Sequence, residues 1–281
     1  MSDLHAINEA INKRAGRKLF TSLFIALILL AIIFTSMALL PVAFALVVAL
    51  AFAISIHELI GAYRGSGIYP PGSLLIVSGL SLYGVAWWQG SKGLLLALPI
   101  AAIINLVWLL KKGPGEFASR ASATLLTLVY LGFLPSFIFL LARDSDGFAL
   151  ISVLVILVGV NDTFAYIAGV LLGRHKMAPL LSPKKSWEGF FGGLVATLGA
   201  SAIAFHYLLE RSWWVGALMG FVGVLAATFG DLIESAFKRD FGVKDMSSFL
   251  PGHGGMLDRL DSATITAPAL WIFLELTRNL M

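Results

Sequence analysis

Two carboxylates near the C-terminal end of this sequence have a type and spacing that could do chemistry. Asp258 and Asp261 are three positions apart and follow a glycine-rich stretch. If a helix begins near Gly255, side chains three positions apart share one face of it. Two carboxylates so close repel each other unless a cation lies between them, and hard oxygen ligands of this kind suit Mg²⁺. Asp231 is a third metal candidate, because an acid at the end of a long apolar segment is costly unless it is paired or bound to a cation.

Basic side chains surround these acids in the sequence. Six of them lie in two charged segments of the chain: Lys184, Lys185, Lys238, Arg239, Lys244 and Arg259. Acids for a metal together with cations predict a site for phosphoryl groups, where catalysis is mainly positioning and charge neutralisation. Gly254 and Gly255 would let backbone N–H groups approach a phosphate, and Ser235 shares a helix face with Asp231. His253 could contact phosphate or only hydrogen-bond the backbone.

Each of these features also has an interpretation without chemistry. Loop cations are often topology determinants, an Asp-x-x-Asp can be a solvated helix start, and a glycine-rich segment can be a flexible turn. Ten charged residues nevertheless fall within the 31 positions of 231–261, and this concentration favours a site. Asp162 lies inside another hydrophobic segment, where an acid indicates a functional site by default. The alternative for Asp162 is a structural acid paired with a neighbouring helix.

The composition requires that these residues be carried by elements solvated by lipid. Of the 281 residues, 58% are hydrophobic and 13% are charged, and the mean hydropathy is +0.89. A globule of this length cannot hide so much apolar surface, which excludes a soluble enzyme, a disordered protein and a fibrous protein. The absence of Cys excludes a thiolate nucleophile and Cys-based metal sites. His57 and Glu58 begin a zinc-type H-E-x-x-H motif, but Gly61 stands at its fifth position and rules that site out.

The hydrophobic segments predict an all-α polytopic integral membrane protein with about nine transmembrane helices. A span needs about 20 apolar residues, and Pro41 divides the first and longest segment into two spans. The predicted spans are 19–39, 42–57, 74–88, 93–110, 121–142, 148–172, 190–208, 213–237 and 263–280.

The charges between the spans predict their orientation. With the N-terminus in the cytoplasm, the segments on that side contain 16 Lys and Arg residues and the opposite side, including the C-terminus, contains 4. This bias explains the net charge of +4 and the pI near 9.4, and we expect no nucleic-acid partner. The expected organisation is a basic cytoplasmic N-terminus (1–18), a scaffold of helices that could make dimer contacts (19–147) and a catalytic region (148–281). That region has cytoplasmic loops at 173–189 and 238–262.

At this point the charged segments resemble a known signature. The pattern S-x-x-K-R-x4-K-D over 235–245, followed by P-x-H-G-G-x-x-D-R-x-D over 251–261, resembles that of the phosphatidate cytidylyltransferases, or CDP-diacylglycerol synthases. The pattern S-P-K-K-S-x-E-G over 182–189 is also similar to that family. Together the similar segments cover about 162–261.

The resemblance implies a dimeric enzyme of the cell inner membrane, with its active site facing the cytoplasm, that makes CDP-diacylglycerol and pyrophosphate from CTP and phosphatidic acid. It implies Mg²⁺ held by Asp231, Asp258 and Asp261, with K⁺ as a candidate second cation. The residues that it marks as catalytic are Asp231, Asp258, Lys238 and Arg259. Those that it assigns to CTP and the lipid phosphate are Asp162, Ser182, Lys184, Lys185, Ser235, Arg239, Lys244, His253, Gly254 and Gly255.

Two alternatives remain at the level of the sequence. The nearer one is a CTP-dependent enzyme that acts on another lipid phosphate or on a polyprenol. The other is an ion-coupled transporter, in which Asp162 and Glu58 would couple ions. A transporter is expected to have an internal repeat and charges spread along several spans, whereas this chain gathers its charge in two segments, which favours an enzyme.

Overall fold

The computed structural model describes residues 19–249 and 254–278, and it is about 80% helical, which confirms the all-α class. The helices are α1 (Leu19–Leu39), α2 (Pro41–Gly65), α3 (Gly72–Leu110), α4 (Phe117–Thr127), α5 (Ser136–Ala142), α6 (Gly147–Leu172), α7 (Trp187–Leu208), α8 (Trp213–Asp240) and α9 (Leu257–Leu276). A π-helical turn, Leu128–Phe133, joins α4 to α5, and two short strands, β1 (Lys176–Ala178) and β2 (Ser182–Ser186), lie between α6 and α7.

Six helices of the described residues are long and apolar enough to cross a membrane. They are α2, α3, the continuous segment Phe117–Ala142, α6, α7 and α8. In α1 the segment Leu27–Leu39 is apolar but shorter than a span. Helix α9 is not one of the six. The chain is therefore a multi-pass membrane protein, while the count of nine spans and the sides of the two termini stay predictions.

Helix α3 folds back on itself at Gly90. This glycine has φ 75° and ψ −162°, a conformation open essentially only to Gly. Asn105 Nδ2 donates to Ser78 Oγ over 2.8 Å although the two residues are 27 positions apart, a separation that spans about 40 Å in a straight helix. The two arms of α3 therefore run side by side. The chain turns back at the break that was predicted between the spans 74–88 and 93–110. Arg143 Nη1 supports the break by donating to Ala86 O over 3.2 Å.

The π-helical turn lies in the core beside the first arm of α3. The Tyr83 hydroxyl donates to the Leu131 carbonyl within this turn, and the Tyr83 ring stacks on Phe139 with 4.8 Å between ring centroids. A π-helical turn is uncommon and frequently marks a functional site. This turn also carries Tyr130, whose side chain is buried.

Glycines allow the C-terminal helices to approach closely. A Cβ at Gly220 of α8 would lie 2.9 Å from the Thr197 carbonyl of α7, and a Cβ at Gly230 would lie 2.6 Å from the Asp261 carbonyl of α9. Small residues at such crossings are typical of membrane helices, where close packing drives association. The second crossing brings the acidic end of α8 against the first turn of α9.

The predicted loop 173–189 is a β-hairpin that leads into α7. Its strands pair antiparallel, with Lys176 opposite Ser186, and Ser186 is the N-cap of α7, accepting the Gly189 N–H over 3.2 Å. The Glu188 carboxylate accepts the Arg174 N–H over 3.1 Å and fastens the start of the hairpin to α7. The hairpin is therefore fastened to the start of α7 through Ser186 and Glu188.

Candidate active site

Three acids from two helices form a cluster that could hold a metal ion. Asp231 and Glu234 share one face of α8 because they are three positions apart, and Asp261 faces them from α9. One ligand oxygen from each lies within 4.8 Å of the others. Burial, and then the carboxylates of Asp231 and Asp162, raise the pKa of Asp261, and a cation bound among these acids would favour its ionised form.

Glu234 is the member of the cluster that the sequence analysis did not single out. Its side chain is fully buried. One of its oxygens, Oε2, pairs with Lys238 Nζ one turn along α8. The other, Oε1, has no hydrogen-bond partner in the described part of the chain. A buried carboxylate oxygen without a partner is costly, so this atom is suited to be a ligand of a cation.

Asp258 was predicted to bind metal, and in the structure its carboxylate contacts groups of the protein. Its Oδ1 lies 2.9 Å from Lys238 Nζ, and its Oδ2 accepts the N–H groups of Gly255 over 2.6 Å and Met246 over 3.1 Å. Burial raises the pKa of Asp258, but its interactions with the Glu234 and Lys238 side chains and with the Gly255 N–H outweigh burial and hold that pKa below its ordinary value. Both oxygens are thus occupied by the protein, and Asp258 organises the loop before α9.

Lys185 connects the hairpin to the acidic cluster. Its Nζ lies 2.6 Å from Asp231 Oδ2 and 3.4 Å from the Thr228 carbonyl of α8. Ser235 Oγ donates to the other oxygen of Asp231 over 3.4 Å. The structure therefore brings together Asp231, Ser235 and Lys185, three of the residues that the sequence analysis selected in two separate segments.

Asp162 lies near this cluster at the surface of α6. It interacts electrostatically with Asp231, Lys185 and Arg259, and Asn161 Nδ2 donates to its Oδ1 over 3.2 Å. Asp162 is exposed although it belongs to a helix apolar enough to span a membrane. Asp162 and Arg259 therefore lie close to the acidic cluster, and Asp162 is accessible at the surface of α6.

The structure does not bring every predicted residue to the acids. Lys184 and Lys244 are exposed, and the described residues contain no ion pair between either lysine and the cluster. Arg239 Nε instead donates to the Leu181 carbonyl of the hairpin over 3.0 Å. Ser182 begins β2 opposite Ala178, next to the turn of the same hairpin. His253 lies outside the described residues.

The glycines before α9 face acids rather than open solvent. Gly254 has φ +79°, which favours glycine, and a Cβ there would lie 2.8 Å from Asp258 Oδ2. A Cβ at Gly255 would lie 2.7 Å from Glu58 Oε2, and the Gly255 N–H donates to Asp258. This N–H was expected to approach a phosphate, but it is used within the protein.

Two further residues at the site were missed by the sequence analysis. Glu58 of α2 accepts hydrogen bonds from the backbone at the start of α9, whereas the sequence drew attention to it only through a failed zinc motif and the transporter alternative. Tyr130 interacts electrostatically with the acidic cluster, and its hydroxyl is buried without a hydrogen-bond partner in the described residues. An apolar segment gives no signal that would distinguish this tyrosine from a packing residue.

The comparison with known proteins explains this arrangement. The profile of the cytidylyltransferase family matches residues 20–277. The chain belongs to the cytidylyltransferase family. A phosphatidate cytidylyltransferase of Mycobacterium bovis is 34% identical over 94% of this chain and 90% of the relative. The enzyme of that name from Mycobacterium leprae is 33% identical over 94% of this chain and 89% of the relative. That from Staphylococcus haemolyticus is 36% identical over 66% of this chain and 71% of the relative.

Family membership confirms the resemblance that the charged segments carry. The match also extends across α1 to α5, which the sequence analysis could describe only as hydrophobic spans. The N-terminal helices of this cytidylyltransferase family member therefore lie within the same family match as the acidic cluster, which agrees with the contact of Glu58 with α9.

Proposed function

We propose that this chain transfers the cytidylyl group of CTP to phosphatidic acid and forms CDP-diacylglycerol and pyrophosphate. One observation carries the proposal: acids of α8 and α9 meet lysines of α8 and the hairpin in a chain that phosphatidate cytidylyltransferases match over 94% of its length. Acids with close cations suit a substrate whose reacting groups are phosphates.

The acidic cluster fits Mg²⁺. Asp231, Glu234 and Asp261 would hold the ion, since they offer hard oxygen ligands within 4.8 Å of one another and Glu234 Oε1 is buried without a hydrogen bond in the described residues. Bound there, Mg²⁺ would neutralise charge on the phosphate oxygens and act as a Lewis acid. The donor set differs from the one predicted, because Glu234 takes the place of Asp258.

The lysines of the site would receive the phosphates. Lys185 and Lys238 pair with Asp231, Glu234 and Asp258, so these ammonium groups are held at the acids and are available to oxygens of the triphosphate. An oxygen of the lipid phosphate would attack the α-phosphorus of CTP in line, forming the new P–O bond as the bond to pyrophosphate breaks. No base is needed, because a phosphate monoester is largely dianionic at pH 7 with a second pKa of about 6.

The position of the site suits one aqueous and one lipid substrate. Phosphatidic acid stays in the bilayer, and the exposed Asp162 of α6 lies close to the cluster on a membrane helix. CTP is soluble and would enter over the lysine-bearing hairpin, which the charge bias of the loops assigns to the cytoplasm. We propose the cell inner membrane as the location and a homodimer as the assembly.

The direct test is an assay of the purified protein in detergent with phosphatidic acid, CTP and Mg²⁺. We expect CDP-diacylglycerol and pyrophosphate in equal amounts. A polyprenol and a second lipid phosphate, each offered in place of phosphatidic acid, separate this proposal from the nearer alternative. Product formed with either of them but not with phosphatidic acid would overturn the proposed substrate, and absence of any cytidylyl transfer would overturn the activity.

A further inference from the structure

Glu58 of α2 accepts hydrogen bonds at the start of α9, the helix that carries Asp258 and Asp261. Its Oε1 accepts the Met256 N–H over 2.9 Å and its Oε2 accepts the Leu257 N–H over 2.9 Å. Ser247 Oγ donates to the same carboxylate over 2.5 Å. The Glu58 side chain is buried within the protein. Three donors, two from the segment before α9 and one from its first residue, therefore converge on one enclosed carboxylate.

These contacts supply a cap that α9 lacks locally. The first N–H groups of a helix have no partner within the helix, and a side chain at the N-cap usually satisfies one of them. The N-cap of α9 is Met256, which makes no such bond. Glu58 takes this role from 198 positions away in the chain, and its negative charge is favoured at a helix N-terminus.

Gly255 fits Glu58 to the loop that Asp258 organises. A Cβ at position 255 would lie 2.7 Å from Glu58 Oε2, so only glycine allows the carboxylate to approach this closely. The Gly255 N–H donates in turn to Asp258 Oδ2 over 2.6 Å. The position of Asp258 is therefore coupled through Gly255 to a carboxylate of the N-terminal helices.

We propose that Glu58 is a positioning residue that holds the first turn of α9, and with it Asp258 and Asp261, in the geometry needed for cytidylyl transfer. This inference rests on the proposed function. Asp261 lies one turn into α9, and its carboxylate must meet Asp231 and Glu234 from α8. A rotation or shift at the start of α9 moves Asp261 away from these acids, so helix α2 is part of the active centre even though Glu58 lies outside the acidic cluster.

The first experiment compares Glu58→Gln with Glu275→Gln, the same substitution at an exposed residue of α9. Glutamine has one acceptor oxygen in place of two and no charge, so at least one N–H of the α9 cap is lost. We expect kcat of Glu58→Gln to fall by roughly 100-fold, the size of loss that a misplacement of about 1 Å can cause. The KM for CTP should change little, and Glu275→Gln should keep both constants.

Two readouts separate positioning from a general loss of stability. Hydrogen exchange at the Met256 or the Leu257 amide should accelerate in Glu58→Gln, since at least one of these N–H groups loses its acceptor. Leu59→Ala removes a fully buried neighbour of Glu58 and should lower the unfolding temperature while kcat is kept. If Leu59→Ala and Glu58→Gln both lose kcat in proportion to the fall in their unfolding temperatures, the role of Glu58 is only structural and the proposal is overturned.

A double-mutant cycle tests the contact with Gly255 without removing Glu58 first. Gly255→Ala places a methyl group against the carboxylate, and we expect it to reduce kcat as Glu58→Gln does. In the Glu58→Ala background this methyl group has room, so Gly255→Ala should cause little further loss; such non-additivity reports a direct interaction. Additive losses would overturn the coupling. A Gly255→Ala protein with the wild-type kcat would overturn it too, and this measurement holds even if the Glu58 variants do not fold.

The outcomes for this inference and for the proposed function are distinct. A folded wild-type protein without cytidylyl transfer overturns the proposed function, whatever the variants do. A wild-type protein that makes CDP-diacylglycerol, together with a Glu58→Gln variant whose kcat and amide exchange match the wild type, overturns the positioning role alone.

Discussion

Lys185 of the β-hairpin and Asp231 of α8 form an ion pair, with 2.6 Å between Lys185 Nζ and Asp231 Oδ2. Both side chains keep part of their surface accessible, so the pair lies at the opening of the acidic cluster rather than inside the core. An exposed ion pair contributes little to stability. At this position a substrate phosphate would compete with Asp231 for Lys185, and a metal ion would compete with Lys185 for Asp231.

Substitution of Lys185 should affect catalysis far more than folding. Lys185→Met removes a cation from the opening of the cluster and leaves Asp231 without its partner on the hairpin. We expect kcat/KM for CTP to fall by roughly 100-fold or more, as when a positioned charge-stabilising donor is removed, with little change in unfolding temperature. Steady-state kinetics at saturating phosphatidic acid measure this loss.

Lys176 provides the matched control for this prediction. It is an exposed lysine on β1 of the same hairpin, so Lys176→Met removes the same charge from the same element. We expect near wild-type kinetics. Equal losses from the two substitutions would mean that only the net charge of the hairpin matters and that the pair with Asp231 has no specific role.

Glu234→Gln should weaken metal binding at the site and so raise the Mg²⁺ concentration that activity requires. The amide can neither carry the charge nor supply two carboxylate oxygens, so the cluster of Asp231, Glu234 and Asp261 loses a ligand. We expect activity to require at least about tenfold more Mg²⁺ for half-maximal rate, in line with the effects of altering a metal site. Chelation with EDTA should abolish the activity of wild type and variant alike.

Metal binding measured without substrate provides an independent check of the same cluster. Mn²⁺ binding followed by electron paramagnetic resonance should be weaker in Glu234→Gln than in wild type and unchanged in Glu275→Gln. If Glu234→Gln bound Mn²⁺ as the wild type does while Asp258→Asn did not, the originally predicted set with Asp258 would be the correct one.

Much of the fold followed from the sequence because its physical causes are local. A composition with 13% charged residues requires lipid-solvated helices, and the break in α3 falls at Gly90, between the predicted spans 74–88 and 93–110. The meeting of Asp231 and Asp261 was also predictable, because each acid stands at the edge of an apolar segment where an isolated charge is costly.

The remaining features of the site depend on tertiary contacts that leave no local pattern. Glu234 stands among other charged residues and resembles a solvated helix end, yet the crossing at Gly230 buries it. Asp258 shares the spacing of a metal ligand with Asp261, but the turn at Gly254 directs backbone N–H groups to its carboxylate. Glu58 reaches α9 from 198 positions away, and nothing near it in the sequence indicates that contact.

Tyr130→Phe should reduce activity without reducing stability. The Tyr130 hydroxyl is buried without a hydrogen-bond partner in the described residues and interacts electrostatically with Asp231, Glu234 and Asp261. An unpaired buried hydroxyl costs folding free energy, so its removal should leave the unfolding temperature unchanged or higher. If the hydroxyl donates to a ligand bound at the acids, kcat/KM should fall by roughly tenfold, the value of about one hydrogen bond.

Tyr83→Phe is the converse control for Tyr130→Phe. The Tyr83 hydroxyl donates to the Leu131 carbonyl in the π-helical turn that also carries Tyr130. Its removal should cost about 1 kcal/mol of stability and leave kcat/KM unchanged. Thermal unfolding and kinetics of both variants separate the two roles. A Tyr130→Phe protein that is destabilised and fully active would show that this hydroxyl serves packing and not the site.

Gly230→Ala should disturb the acidic cluster through the backbone alone. The added Cβ would lie 2.6 Å from the Asp261 carbonyl and 2.8 Å from Ser262 Cα, so α8 and α9 must move apart. Overpacking of this kind costs about 1–3 kcal/mol, and it shifts Asp261 relative to Asp231 and Glu234. We therefore expect a lower unfolding temperature together with a higher Mg²⁺ requirement, although no side chain of the cluster is altered.

Gly199→Ala tests whether the effect comes from the crossing or from glycine itself. A Cβ at Gly199 of α7 meets no atom within 4 Å, and replacement of a helical glycine at such a position stabilises by about 0.4–1 kcal/mol. The two alanine variants should thus move the unfolding temperature in opposite directions, and only Gly230→Ala should change the Mg²⁺ dependence. An unaltered Mg²⁺ dependence in a destabilised Gly230→Ala protein would show that the acids tolerate movement of α9, because the cluster would then keep its affinity while the helices that carry it are displaced.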